Sequence, residues 1–317
     1  MFLGIEIGGT KLQLGVGRGD GSPLVALERA QVVREHGAAA ILADIERIGR
    51  SLIERYAVQR IGIGFGGPVK ADQGRTTISH HVDGWQDFPL VEWCRQTFGL
   101  PAVLANDCDA AALAEACFGA GSGHRIVFFL TVGTGIGGGL VVDGRLFGTH
   151  RPAVAEIGHL RPWRGGAEAL VSVESQASGT GIEERARRKL RQASDRSDAV
   201  DLLQRAGGRS EQLTARDVAE AAAEGNELAR EVLAESIEVL GWAIAQAITL
   251  VAPEVVVVGG GVSLMGEQLF FDPLRKAVRR YVFHGLVDTY EIRPAQLGEQ
   301  VVVHGALALA GKAANAD

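Results

Sequence analysis

Ile5-Glu6-Ile7-Gly8-Gly9-Thr10-Lys11-Leu12 is echoed later in the chain by Leu130-Thr131-Val132-Gly133-Thr134-Gly135-Ile136-Gly137. Both stretches read as strand, glycine turn, strand. The first is apolar from Phe2 to Ile7, breaks at Gly8-Gly9 and resumes in Leu12-Gln13-Leu14-Gly15-Val16. The second runs from Ile126 to Val132 and resumes at Leu140-Val141-Val142. A duplicated hairpin predicts two related domains.

Between the hairpins, Ile41, Ile45, Ile48 and Leu52 recur at helical spacing, followed by an apolar strand from Ile61 to Phe65 and a Gly66-Gly67-Pro68 break. A short strand, Ala102 to Ala105, leads into a helix through Ala110 to Ala116. Beyond the second hairpin the pattern predicts helices at about 182 to 193, 215 to 223 and 226 to 250. A strand, Val255 to Val258, then ends on Gly259-Gly260-Gly261, and Val301 to Ala313 reads as a closing helix. This order predicts an α/β protein with mixed sheets. The expected division is a first domain over 1–118, a second over 119–300, and a closing segment, 301–317, that packs back on the first.

A length of 317 residues with 46% apolar content suits a two-domain globular chain. A formal net charge of -6 gives no general attraction for polyanions, so nucleic acid and acidic membranes are not expected partners. The basic run Arg185, Arg187, Arg188, Lys189, Arg191 is read as a solvated helix face. Glu6 and Lys11 interrupt the only leader-like stretch, and Val239 to Val251 falls short of the ~20 residues of a membrane span, so a cytoplasmic location is expected. Cys94, Cys108 and Cys117 form no Cys-x-x-Cys pair and are read as buried thiols in a reducing compartment.

Glycine turns between strands let backbone N–H groups approach a phosphate. The chain has three, yet neither a Walker A sequence nor a dinucleotide fingerprint, because Gly133-Thr134-Gly135-Ile136-Gly137-Gly138 leads into a strand instead of a helix. The carboxylate Asp107, at the junction of a strand and a helix, suits a general base. Taken alone, it or Asn106 equally suits a helix cap.

The segment Glu6-x-Gly8-Gly9-Thr10-Lys11 resembles the first phosphate loop of the ROK family of repressors and sugar kinases, and Gly133 to Gly139 resembles the second. Gly259-Gly260-Gly261 is similar to the family's turn near adenosine. The likeness continues through Gly62-Ile-Gly64, Gly84-Trp85, Asn106-Asp107, Glu156-x-Gly158-His159, Glu174-x-x-Ala177-Ser178-Gly179 and Gly305-Ala306. The resemblance implies a two-domain actin-like ATPase (duplicated ribonuclease H-like) fold with mixed sheets and an interdomain cleft. It implies an ATP-dependent hexose kinase, with glucose the first candidate and fructose, mannose or an N-acetylated amino sugar as alternatives.

By the same resemblance, Asp107 is the general base, and Gly66, His81, Asn106, Glu156, His159 and Glu174 are substrate-binding residues. Gly8, Gly9, Thr10, Lys11, Gly133, Thr134, Gly135, Gly259, Gly260 and Gly261 bind nucleotide, and Glu6 orients Mg²⁺, directly or through water. The implied partners are a sugar and MgATP, in a homodimer or higher oligomer. A repressor is not expected, since no room for a helix-turn-helix precedes the first loop. A catalytically silent sugar sensor is disfavoured by the intact Asp107 and loops.

Four features depart from the family pattern, the first being Glu6, which replaces the aspartate usual in the glucokinase-like branch and resembles the fructokinase-like branch in that one position. Many members carry a Cys-x-Cys-Gly-x-x-Gly-Cys zinc cluster after the histidine, whereas Leu160 to Val173 has no cysteine, so no zinc is expected. Its bracing role is assigned to Pro162-Trp163-Arg164-Gly165-Gly166, with a surface loop as the alternative. His80-His81 stands where the family often has asparagine, and His81 is either a sugar donor or an exposed loop residue. Asp109 stands where asparagine is common, adding a carboxylate near the site.

Overall fold

The structure is a computed structural model that describes residues 1–79, 82–151, 153–162, 171–192 and 196–314. It separates into two compact units, the first comprising Met1–Phe129, Gly139–Ala155 and Ala295–Asp317, the second Leu130–Gly138 and Glu156–Pro294. Both units are discontinuous in sequence, the first taking in the C-terminal segment together with Met1–Phe129. The glycine turn at Gly133 to Ile136 goes with the second unit because its hydrogen bonds run to Glu174, Gly179 and Thr180.

The first unit opens with β1 (Phe2–Ile7) and β2 (Lys11–Gly17), antiparallel with Glu6 opposite Gln13 and Ile7 opposite Leu12, followed by β3 (Ala26–Gln31). Helix α1 (Gly37–Tyr56) buries Ile41, Ile45, Ile48 and Leu52, the stripe that its 3.6-residue period predicts. Burial of each such side chain contributes about 1.5–3 kcal/mol. Strand β4 (Arg60–Phe65) runs parallel to β1, and a small pair, β5 (Val69–Lys70) and β6 (Arg75–Thr76), precedes α2 (Leu90–Phe98). Strand β7 (Ala102–Asn106) is parallel to β4 and feeds α3 (Asp107–Phe118). The Gly84-Trp85 motif anchors this core: Trp85 is fully buried, with its ring centroid 5.1 Å from that of Phe65 and 5.6 Å from that of Phe88.

The second hairpin is β8 (Ile126–Val132) and β9 (Ile136–Val142), extended by β10 (Arg145–Leu146). Strand β9 begins at Ile136, before the expected Leu140, because glycines tolerate the extended backbone although they carry no apolar signal. The second unit continues with α4 (Glu174–Ala177), α5 (Gly179–Gln192), α6 (Ser197–Arg205), α7 (Ala215–Ala223) and α8 (Glu227–Val251). A capping box, Thr214 with Asp217, starts α7. Then follow β11 (Val255–Gly259), α9 (Asp272–Tyr281) and β12 (Glu291–Pro294). Helix α8 is the one described helix long and apolar enough to cross a membrane. It is also a core helix, burying Leu228, Val232, Leu240, Ile244 and Ile248 and packing on α5, α7 and α9.

Two five-stranded sheets repeat one plan, β3-β2-β1-β4-β7 and β10-β9-β8-β11-β12. The last helix, α10 (Val301–Ala314), lies on β1, β4 and α3 of the first unit. Glycine makes that approach possible. A Cβ at Gly62 would fall 1.8 Å from the carbonyl oxygen of Ala306, and one at Gly305 would fall 1.8 Å from that of Ala110.

The basic run on α5 is not a solvated face. Arg185 is buried, with Nη1 2.6 Å from Oε2 of Glu235 and Nη2 donating to Oε1 of Gln176. Lys189 reaches Glu231 and Glu235, and Arg187 donates to the carbonyls of Ser210 and Leu213. The carboxylates of α8 turn one side of this run into an interface, leaving Arg188 and Arg191 outside. Of the cysteines only Cys94 is buried; Cys108 and Cys117 are half-buried on α3.

Candidate active site

In the first unit, β7 ends and α3 begins at Asn106-Asp107. The Asn106 side chain caps the helix, its Oδ1 accepting from the N–H of Cys108 at 2.8 Å and of Asp109 at 3.4 Å. Its Nδ2 donates to the carbonyls of Gly67 at 3.0 Å and Phe65 at 3.4 Å. These four contacts engage both ends of the amide. Asp107 is thereby held at the first helical position, with Oδ1 accepting from Cys108 N–H at 2.8 Å. Gly66 faces the other oxygen, since a Cβ there would sit 3.4 Å from Oδ2. Although part of its surface stays open, Asp107 is enclosed by protein. Burial raises its carboxyl above the ordinary value, against the opposing pull of the Cys108 hydrogen bonds.

Glu6, on β1, is a second buried carboxylate. Its Oε1 lies 3.0 Å from Lys11 Nζ, and its Oε2 accepts from Gln13 Nε2 at 2.8 Å. Burial raises its pKa, Lys11 and Gln13 pull it back, and the charge of Asp107 adds to the rise. The turn at Gly8 to Lys11 closes with Gly8 N–H to Lys11 O at 3.0 Å. Outside groups engage the next two carbonyls: Arg34 Nε donates to Gly9 O, and Val32 N–H to Thr10 O, each at 3.0 Å. In a planar trans peptide the N–H points opposite the carbonyl, so the amides of Thr10 and Lys11 face away from these grips.

In the second unit, the turn at Gly133 to Ile136 is built likewise. Gly133 O accepts from Gly179 N–H at 2.7 Å, Thr134 O from Thr180 Oγ1 at 2.6 Å, and Ile136 N–H donates to Glu174 Oε2 at 2.7 Å. Glu174 therefore touches the second glycine turn directly. The Glu156 and His159 side chains are exposed, His159 Nε2 lying 3.9 Å from Glu156 Oε2. The pair stands as i, i+3 neighbours on a short 3-10 turn. Gly158 between them is required by close approach, since a Cβ there would meet Ile136 O at 2.2 Å. At the end of β11, Gly260 has φ +89° and lies against the Val132 carbonyl, with Ser263 bonding its oxygen. His80, His81 and the stretch from Trp163 to Gly166 lie outside the described residues.

A profile of the ROK family matches residues 2–313. The chain belongs to the ROK family. It is 31% identical over 312 residues to a glucokinase of Thermotoga maritima, covering 97% of this chain and 96% of that one. A solved ROK family glucokinase from Streptomyces griseus, in complex with glucose and AMPPNP, is 30% identical, with TM-score 0.81 and coverage of 98% and 99%. The ROK hexokinase of Thermus thermophilus is 28% identical, with TM-score 0.80 and coverage of 100% and 99%. The fold is the two-domain actin-like ATPase fold of these ROK structures.

Sequence reasoning overlooked Gln13, Arg34 and Thr180. Gln13 had a signal, as a lone polar residue between Leu12 and Leu14, and it is 1% exposed. Arg34 and Thr180 had none, since what matters is which carbonyl each meets. A cavity of about 1180 Å³ is lined by residues that include Gln176, Arg185, Glu235, Trp242 and Tyr281, and none of the expected ROK site residues line it. Its carboxylates Glu235 and Glu238 are paired with Arg185, Lys189 and Arg280.

Proposed function

We propose that this chain transfers the γ-phosphoryl group of ATP to a hydroxyl of a hexose, with glucose as the preferred acceptor. The observation that carries this reading is Asp107: a largely enclosed carboxylate at a capped helix start, its Oδ2 facing Gly66 and its pKa raised by burial. Such a group accepts a hydroxyl proton as the sugar oxygen bonds to the γ-phosphorus, while the bond to the bridging oxygen breaks and ADP leaves. The likeness to glucokinases, one of them holding glucose and AMPPNP, supports glucose over other hexoses.

The amides of Thr10, Lys11, Thr134 and Gly135 take the phosphates, with Gly8, Gly9 and Gly133 allowing close approach, and Gly259 to Gly261 border the adenosine. Glu156, His159 and Glu174 bond sugar hydroxyls. Asn106, whose amide is committed within the protein, holds Asp107 and the Gly66-Gly67 turn in place. Mg²⁺ fits the donor set at Glu6, because among the described residues each carboxylate oxygen there has a single hydrogen-bond partner and keeps a lone pair for a metal-bound water. When bound, the metal neutralises polyphosphate charge.

Coupled ADP-release assays on glucose, mannose, fructose and N-acetylmannosamine test the reading. The expected result is the highest kcat/KM on glucose. Absence of sugar-dependent ADP release on all four would overturn it.

A further inference from the structure

Three hydrogen bonds hold the second glycine turn from one side, all from the segment Glu174 to Thr180. Two are to successive carbonyls, Gly133 O from Gly179 N–H at 2.7 Å and Thr134 O from Thr180 Oγ1 at 2.6 Å. Because each peptide unit is planar and trans, the N–H groups of Thr134 and Gly135 point away from that segment. Neither amide has a protein acceptor among the described residues. Two successive uncommitted amides on a glycine turn form an anion-binding concavity.

The polarity of the Thr180 bond is fixed. A carbonyl only accepts, so the single hydroxyl proton of Thr180 goes to Thr134 O. Ser178 Oγ lies 3.0 Å from Thr180 Oγ1 and must therefore donate to it, while itself accepting from Gly181 N–H at 3.1 Å. The result is a one-way chain, Gly181 N–H to Ser178 to Thr180 to the Thr134 carbonyl, anchored in the first turn of α5. Each bond polarises the next. Ser178 is fully buried, whereas the Thr180 side chain is exposed and contributes little to the core.

We propose that Thr180 is a positioning residue for the nucleotide phosphates: through the Thr134 carbonyl it aims the Gly135 amide at the polyphosphate. The proposal rests on the kinase reading above. The Thr180 bond goes to the Thr134 carbonyl, whereas Glu174 is held separately by the Ile136 N–H, so loss of the hydroxyl should act on the nucleotide before the sugar.

The test compares Thr180→Val, which keeps the shape and removes the hydroxyl, with Thr180→Ser, which keeps the hydroxyl. Calorimetric Kd values for ADP and glucose are measured on each, with KM for both substrates. Thr180→Val should weaken ADP binding and raise KM for ATP about tenfold, the scale of one lost hydrogen bond. Glucose Kd and melting temperature should stay at wild-type values, and Thr180→Ser should remain within about twofold of wild type. Ser178→Ala, which frees Thr180 to rotate, should weaken ADP in the same direction by roughly threefold, and decides the matter should the valine variant not fold. Unchanged ADP affinity in Thr180→Val, or in Ser178→Ala where only that folds, overturns the positioning role while leaving the kinase reading intact. A wild-type protein that binds neither ADP nor glucose overturns both.

Discussion

Gln13 Nε2 donates to Oε2 of Glu6 at 2.8 Å, across the β1–β2 pair, in a position where neither residue is open to solvent. The same amide also donates to the carbonyl of Glu299 at 3.1 Å, and its Oε1 accepts from Arg29 Nε at 3.1 Å. A buried carboxylate is thus held between Lys11 and an amide whose nitrogen and oxygen are both engaged. Removing Gln13 leaves Glu6 with an unsatisfied oxygen, a loss of roughly 1–3 kcal/mol. Gln13→Leu should lower the stability measured by urea denaturation by that amount and raise the Mg²⁺ concentration needed for half-maximal activity. Unchanged stability would mean that water replaces the amide.

Asp107→Asn should preserve the fold and glucose binding while lowering kcat by on the order of 10² to 10⁴, the usual contribution of a general base. Turnover close to wild type removes Asp107 from that role. Since burial raises the Asp107 pKa, kcat should fall as pH drops through a value above the ordinary carboxylate range. The stability effect has the opposite sense. A carboxyl whose folded pKa is raised favours the folded state at low pH and loses that contribution as pH rises through the folded pKa. Asp107→Asn should therefore melt above wild type at neutral pH, with the difference shrinking as pH falls below the raised pKa. A gain that persists undiminished in acid would point to packing instead of ionisation.

Arg185 is a buried side chain bonded to Glu235 and Gln176, and truncating it removes both bonds and its packing, while Glu235 keeps Lys189 and water. Arg185→Ala should cost about 1–3 kcal/mol, and Arg188→Ala, on the exposed side of the same helix, less than about 0.5 kcal/mol. Chemical denaturation of the two variants measures both. Equal, small effects would restore the picture of a solvated basic face.

The stretch from Leu160 to Val173 carries no cysteine, and no cluster of three metal-ligating side chains occurs among the described residues. Elemental analysis of the purified protein should find no stoichiometric zinc. A strong chelator, followed by excess Mg²⁺, should leave melting temperature and activity unchanged. About one zinc per chain, or unfolding on chelation, would sink this expectation.

What the sequence determined is what local physics controls. Apolar runs bounded by Gly8-Gly9 and Gly133 to Gly135 specify hairpins whatever surrounds them, and the Ile41, Ile45, Ile48, Leu52 stripe specifies an amphipathic helix. The repeated hairpin already carried the duplication that the two sheets display in their strand orders. What tertiary structure decided is pairing across long separations. Lys189 and Arg185 look like surface charges until α8 brings Glu231 and Glu235 against them. Thr180 is an ordinary helix-start residue until its hydroxyl meets the carbonyl of Thr134. Asn106 offered two readings in sequence, and its amide caps the first turn of α3 and bonds the carbonyls of Phe65 and Gly67. The physical reason is common to all three: a polar side chain declares its bonding capacity in the sequence, but the partner that satisfies it is chosen only when apolar burial folds distant segments together.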